Sequence, residues 1–274
     1  MVLKSELYRE IVSPNSEFRF GKLLIDLDHV GATAGNAFVL YLLAEQFSKP
    51  EIIERILSYL VKYFTIRNIT NFPRSNDLDT IFIALTDKCQ GESDLTEKIV
   101  VDFLSHSSRQ SPKENVARIL NGPIYTENSK ILRYLLCMLE DSMRNSENRV
   151  DLWAKNEKGK YEWTIEHIQP EGKNIPGEWV EMLSASDKET ATIIQERCVH
   201  KLGNLTLSRY NSRLSNFAFD KKKNLENGSQ LIGYSSGAVH LNESVLVENS
   251  WNEATIEKRT AILIEEILSQ LGIG

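Results

Sequence analysis

The chain has 274 residues, 41% hydrophobic and 26% charged, with a formal net charge of −6. That is the make-up of an ordinary globular protein with one large domain or two modest ones. No apolar run approaches the roughly 20 residues of a membrane span, and the start from Met1 to Glu6 lacks the apolar core of a signal peptide. Cys89, Cys137 and Cys198 lie far apart and form no CxxC pair. This excludes a disulfide framework and a four-cysteine zinc, and makes a reducing cytoplasm the expected compartment.

Residues 1–36 carry little pattern; Pro14, Gly21, Gly31 and Gly35 punctuate them, and Asp26, Asp28 and His29 read as a polar loop before a helix. From Ala37 the chain turns helical. Phe38, Leu42 and Leu43 open one stripe; Ile52, Ile53, Ile56, Leu57, Leu60, Val61 and Phe64 form another at three- and four-residue spacing. Pro50 suits a helix start, where its missing N–H costs nothing. After the break at Asn71–Asn76, Asp77 is expected to cap a helix bearing Leu78, Ile81, Phe82 and Leu85. Ser93 or Asp94 is expected to cap the next, Pro112 to start a short one, and Asn121-Gly122-Pro123 to turn the chain. Ile131, Leu132, Leu135, Leu136, Leu139 and Met143 then mark a long amphipathic helix. These stripes predict a helical bundle and carry no chemistry.

Beyond residue 150 the texture changes. Tyr161, Trp163, Ile165 and His167 alternate with Glu162, Thr164 and Glu166, which predicts a strand ended by Pro170. Residues 171–199 read as an insert, with a helix from about Ser186. Gly203-Asn204 predicts a turn, Leu205-Thr206-Leu207 a second strand, and Ser208 or Tyr210 the start of a helix. Asp220–Glu226 is a further helix candidate, and Trp251 leads a last helix expected to pack back onto the helical body. The expected division is a helical scaffold at 1–150, the strand–turn–strand–helix segment at 151–228, and a C-terminal loop and helix at 229–274. The fold class is mainly α.

Charge is uneven. His200–Asn224 holds Lys201, Arg209, Arg213, Lys221, Lys222 and Lys223 against Asp220, a local +5 that leaves −11 for the rest. Phosphate binding needs such cations, so His200, Arg209, Arg213, Lys221, Lys222 and Lys223 are candidate nucleic-acid contacts.

Hydrolysis of a phosphodiester needs a base for water, a cation for the developing charge and a hold on the strand. Strand neighbours point to opposite faces, so Glu166 and His167 take separate roles. His167 suits a general base, because an imidazole of ordinary pKa is largely neutral at pH 7. Glu166 can reach a hard cation that prefers oxygen ligands, with Asn211 adding a neutral oxygen from the next helix. Asn204 would fix the loop through backbone bonds. An acid beside a histidine, an asparagine ending a turn and an asparagine opening a helix stand in the order of an HNH nuclease.

Glu166-His167-Ile168-Gln169-Pro170, then His200-Lys201-Leu202-Gly203-Asn204-Leu205-Thr206-Leu207, then Asn211 through Asn216 with Phe219 and Lys222, resemble the HNH domain of the GmrSD-type modification-dependent restriction endonucleases and related phage-defence proteins. The resemblance implies a helical bundle carrying a ββα-metal hairpin and helix. It implies a DNA endonuclease using Mg²⁺ or Mn²⁺, with His167 as base, Glu166 and Asn211 at the metal and Asn204 in support. For His200 it leaves phosphate contact, loop structure and metal ligation open. For Lys222 it leaves a phosphate contact or a stem packed under the site. Longer relatives carry an N-terminal nucleotide-handling domain not visible here, so a separate subunit or further domain is an expected partner besides DNA. A non-catalytic docking module and an RNA-directed nuclease are the alternatives.

Overall fold

The computed structural model describes residues 4–92, 94–106, 109–145 and 147–273. The fold is mainly α, as the stripes predict, with two two-stranded sheets among the described residues. Two compact units divide the chain at Val116 and Ala117.

In the first unit the helices are α1 (Lys4–Val12), α2 (Gly21–Val30), α3 (Asn36–Glu45), α4 (Pro50–Thr70), α5 (Ser75–Gln90) and α6 (Glu97–Ser105), and α7 (Lys113–Leu120) spans the division. The buried faces of α3, α4 and α5 follow the expected apolar stripes. Phe38, Leu42, Ile56, Leu57, Leu60, Tyr63, Phe64, Phe82 and Leu85 are all nearly inaccessible, and the Phe64 and Phe82 rings stack at 5.2 Å. Burying such side chains stabilises by roughly 1.5–3 kcal/mol each. Several boundaries differ from expectation. The stretch 1–36 forms two helices, each with a short buried stripe (Leu7 and Ile11; Leu24, Leu27 and Val30), and Asp26, Asp28 and His29 lie on α2 rather than in a loop. Helix α5 begins at Ser75, so Asp77 sits in its first turn and caps nothing; it favours the positive helix end instead. Helix α6 follows Thr96, so Asp94 is not its cap, and Ser93 lies outside the described residues.

The second unit opens with α8 (Ile124–Met143), interrupted at Asn128, whose backbone leaves helical geometry (φ −156°, ψ 80°). The interruption sets the turn bearing Tyr125 apart from the long stripe. There follow β1 (Thr164–His167), α9 (Gly177–Ser184), α10 (Lys188–Cys198), β2 (Leu205–Ser208), α11 (Asn211–Leu214) and α12 (Phe219–Lys223). A small hairpin of β3 (Glu226–Asn227) and β4 (Gln230–Leu231), then α13 (Glu243–Leu246) and α14 (Glu253–Leu271), complete it. The expected long strand shrinks to four residues because only β2 offers a ladder. The insert holds two helices rather than one: Trp179, Val180 and Leu183 bury α9, and α10 starts within two residues of the expected Ser186, capped by Asp187, which accepts from the Glu189 and Thr190 amides.

This unit's core gathers Ile168, Trp179, Leu214, Phe219, Tyr234, Trp251 and Ile256. Helix α14 packs on the turn at Leu202–Asn204 rather than only on helices. A side chain at Gly203 would come within 2.2 Å of the Ile256 carbonyl and 2.4 Å of the Thr260 hydroxyl, so the glycine is what lets α14 approach. The Gly203 amide donates to Thr260 Oγ1 at 3.0 Å. Buried Arg259 donates to the carbonyls of Gly203 at 2.7 Å and Leu205 at 2.8 Å. The last helix is therefore the buttress of the β1–β2 hairpin.

Candidate functional site

Strands β1 and β2 pair antiparallel, Glu166 opposite Thr206 and His167 opposite Leu205. Asn204, fully buried, ties the hairpin's ends. Its Oδ1 accepts from the Gln169 amide at 2.8 Å and the Trp251 indole at 2.9 Å, and its Nδ2 donates to the carbonyls of Gln169 at 3.0 Å and Val199 at 2.9 Å. All four bonding positions of the amide are used. One side chain thus links the residue two after His167 with the residue before His200.

On one face of β1, Glu166 is 2% exposed. Its Oε1 accepts from Lys222 Nζ at 2.7 Å and Tyr234 Oη at 3.1 Å. Lys222 is itself buried and also donates to the His167 carbonyl at 2.8 Å. Burial pushes the carboxyl of Glu166 up and the ammonium of Lys222 down, and each opposes the other's shift across the contact. Burial also holds the Tyr234 phenol well above its ordinary range, so it stays protonated and donates. Both contacts fall on Oε1, and the expected metal role of Glu166 would place a second cation beside Lys222. The carboxylate is already neutralised by an ammonium, and a divalent ion beside it would meet a buried like charge. Asn211 opens α11 and spends its Nδ2 on the Ile165 carbonyl at 2.6 Å, which braces β1 from the side.

The other face is open to partners of a different kind. The His167 ring is 4.5 Å from that of Tyr125 and nearly edge-on to it; Tyr125 stacks on His200 at 5.4 Å and donates its amide to the His200 carbonyl at 3.3 Å. His167 Nε2 and His200 Nδ1 are 3.3 Å apart. Glu171, half-exposed, sets one carboxylate oxygen 3.9 Å from His167 Nδ1 and the other 3.9 Å from His200 Nε2. Burial first, then His200 and Lys222, pushes the His167 imidazole down from 6.5 to about 3. The ring is therefore neutral at pH 7 and carries a lone pair.

The basic cluster disperses. Lys222 turns inward, which corrects its expected place on a phosphate-facing surface: with its Nζ spent on Glu166 and His167, only its stem lies under the site, the other role left open for it. Arg209 pairs with Glu162 and lies over the Trp163 ring. Lys223, mostly covered, pairs with Asp220 at 3.1 Å and donates to the Glu248 carbonyl. Lys201 pairs with Glu257. Arg213 and Lys221 are the exposed members of the six without a carboxylate partner among the described residues. Lys221 lies 3.5 Å over the Phe217 ring.

Several contributors left no readable sign. Tyr125, Glu171 and the clamps Arg133, Glu140 and Gln195 act through distant partners. Arg133 donates to the Trp163 carbonyl at 2.6 Å and the Leu152 carbonyl at 2.7 Å. Glu140 accepts from the His240 and Leu241 amides at 2.9 Å each. Gln195 holds the carbonyls of Pro170 at 2.7 Å and Gly172 at 3.0 Å, the residues flanking Glu171.

Among the described residues, no helix is long and apolar enough to cross a membrane. Nothing matches among curated proteins. Residues 111–266, more than half of the chain and nearly all of the second unit, match the family described as GmrSD restriction endonucleases, C-terminal domain. With the Glu-His strand, the Gly-Asn turn and the Asn-led helix assembled in that span, the chain belongs to the GmrSD restriction endonuclease C-terminal domain family.

Proposed function

We propose that this chain hydrolyses DNA phosphodiester bonds as the nuclease part of a bacterial restriction or phage-defence system, with His167 as general base. One observation carries the reading. A neutral imidazole is held on a short strand by a fully bonded asparagine, beside a second imidazole and a half-exposed carboxylate. A water attacking phosphorus would give its proton to a ring nitrogen of His167, and Glu171 and His200 lie where the imidazolium that forms can be met. A bound phosphate would raise the low pKa of His167 by supplying the missing negative charge. Arg213 and Lys221 are the cations free to hold the strand, and Asn204 keeps the base in place without touching substrate.

The family likeness implies Mg²⁺ or Mn²⁺. Asn211 remains the proposed oxygen ligand for such an ion, which would stabilise charge on the phosphate and leaving oxygen. Glu166 is assigned instead to holding Lys222, so no step of the proposed reaction runs through a Glu166-bound ion.

Plasmid nicking decides the matter, with wild type and His167→Ala compared in Mg²⁺, Mn²⁺ and chelator. Loss of a general base costs about 10² to 10⁴ in rate. Retention of more than about a tenth of the wild-type rate would remove His167 from the role.

A further inference from the structure

We propose that His167, His200 and Glu171 form an exchangeable site for a borderline d-block cation of the zinc type, and that filling it takes His167 out of use as a proton acceptor. The second clause rests on the reading of His167 as base; the first does not.

The three side chains come from three separate places: β1, the turn after α10 and the segment after Pro170. One ligand atom from each lies within 4.8 Å of the others. The two imidazole nitrogens are 3.3 Å apart. Two nitrogens each ~2.0–2.1 Å from a tetrahedral zinc also stand about 3.3 Å apart, so the spacing of these two nitrogens suits one shared ion. Glu171 lies 3.9 Å from the other nitrogen of each ring, His167 Nδ1 and His200 Nε2, and, being half-exposed, can rotate a carboxylate oxygen toward the shared ion. The donor set selects the ion: two imidazoles and one carboxylate suit Zn²⁺, Co²⁺ or Ni²⁺, whereas Mg²⁺ prefers oxygen and water.

The site is also supported from behind. Gln195 is 5% exposed and bonds the carbonyls on both sides of Glu171. Asn204 holds the segments after His167 and before His200. Tyr125 packs against both rings. Metal sites depend on such supporting shells. The bland rival is a simple imidazole–imidazole hydrogen bond, which would bind no ion.

The test uses the full chain freed of metal. Zn²⁺ is titrated calorimetrically into wild type, His200→Ala and Glu171→Gln, and Co²⁺ binding is followed by absorption. Glu171 is half-exposed, so its glutamine variant is safe for the fold even if His200→Ala is not. We expect one ion per chain, with each variant weaker by at least the roughly 10–100-fold that losing a supporting partner costs. Cys198, Glu253 and Glu257 form a second group of similar spacing. A Co²⁺–thiolate band in the near ultraviolet would put the ion there and overturn the proposal, as would absent binding or binding that both variants leave unmoved.

In the cleavage assay Zn²⁺ should inhibit the wild type. The half-inhibiting concentration for Glu171→Gln should rise by the same factor as its Kd, measured against that variant's own zinc-free rate. Intact Zn²⁺ binding without inhibition of an active enzyme overturns the second clause. Intact binding with no cleavage under any cation overturns the reading of His167 as base and leaves the site standing.

Discussion

The two faces of β1 are built on opposite principles. Behind the strand, Glu166, Lys222 and Tyr234 form a closed set in which every charge has a buried partner. In front, His167, His200, Glu171 and Tyr125 lie at distances of 3.3 Å and more, with a half-exposed carboxylate and a neutral ring. Adjacent residues therefore divide the labour: one holds the strand, the next presents a neutral ring to a second imidazole. A neighbouring acid and histidine in sequence need not act on the same ligand, because the strand's own geometry separates them by its full thickness.

The largest expected effect tests the closed face. Lys222→Met leaves the Glu166 carboxylate buried without its cation, and breaking such a pair costs about 3–5 kcal/mol. Denaturant unfolding should show this loss, and Glu166→Leu with Lys222→Met together should recover most of it. If the single variant is as stable as wild type, the two faces do not differ as described.

The open face should answer to pH. The folded chain keeps His167 neutral, down to about 3, whereas the unfolded chain protonates it near 6.5. The unfolded state then binds more protons between those values. Stability is retained above 6.5 and falls as pH drops toward 3, by on the order of a few kcal/mol. In His167→Phe the slope of unfolding free energy against pH across this window should flatten; an unchanged slope would mean His167 is not the group responsible.

Gly203→Ala would disturb both faces at once by forcing α14 off the turn that starts β2. Overpacking of this kind costs about 1–3 kcal/mol, and contact with main chain puts the expectation at the upper end. Thermal unfolding and nicking should decline together in this variant, whereas Lys222→Met should lose stability first.

The smallest effect concerns the surface. Arg213→Ala and Lys221→Ala should each flatten the dependence of log affinity on log salt by about one unit if each meets one phosphate. Lys222→Arg should leave that slope alone, because the ammonium of Lys222 never faces solvent. Binding measured across a salt series on an uncleaved duplex separates the three.

What could be read in the sequence follows from how far apart the interacting groups lie. The stripes of α4, α8 and α14 are long enough to declare themselves. Helices α1 and α9, with two and three buried apolar positions, are not. The order Glu166-His167, Gly203-Asn204, Asn211 was legible because the hairpin is local, and the backbone bonding of Asn204 follows from a turn that must be held. The direction of Lys222 was not legible. Three consecutive lysines on a helix point about 100° apart, so one can turn inward while another faces water, and the inward one is fixed by Glu166, a partner far away in the sequence. Arg133, Glu140, Gln195 and Arg259 were equally silent as clamps, since their partners are mostly backbone carbonyls and amides that carry no residue identity.

Tyr125 has a further use. Its ring lies edge-on to one imidazole and flat against the other, so its ring current displaces the carbon-bound proton resonances of His167 and His200 in ways set by their two geometries. The chain has five histidines, few enough for each imidazole signal to be assigned by substitution. An occupant of the site that turns either ring would shift these two signals together, so an unlabelled sample carries its own spectroscopic record of whether the site is filled.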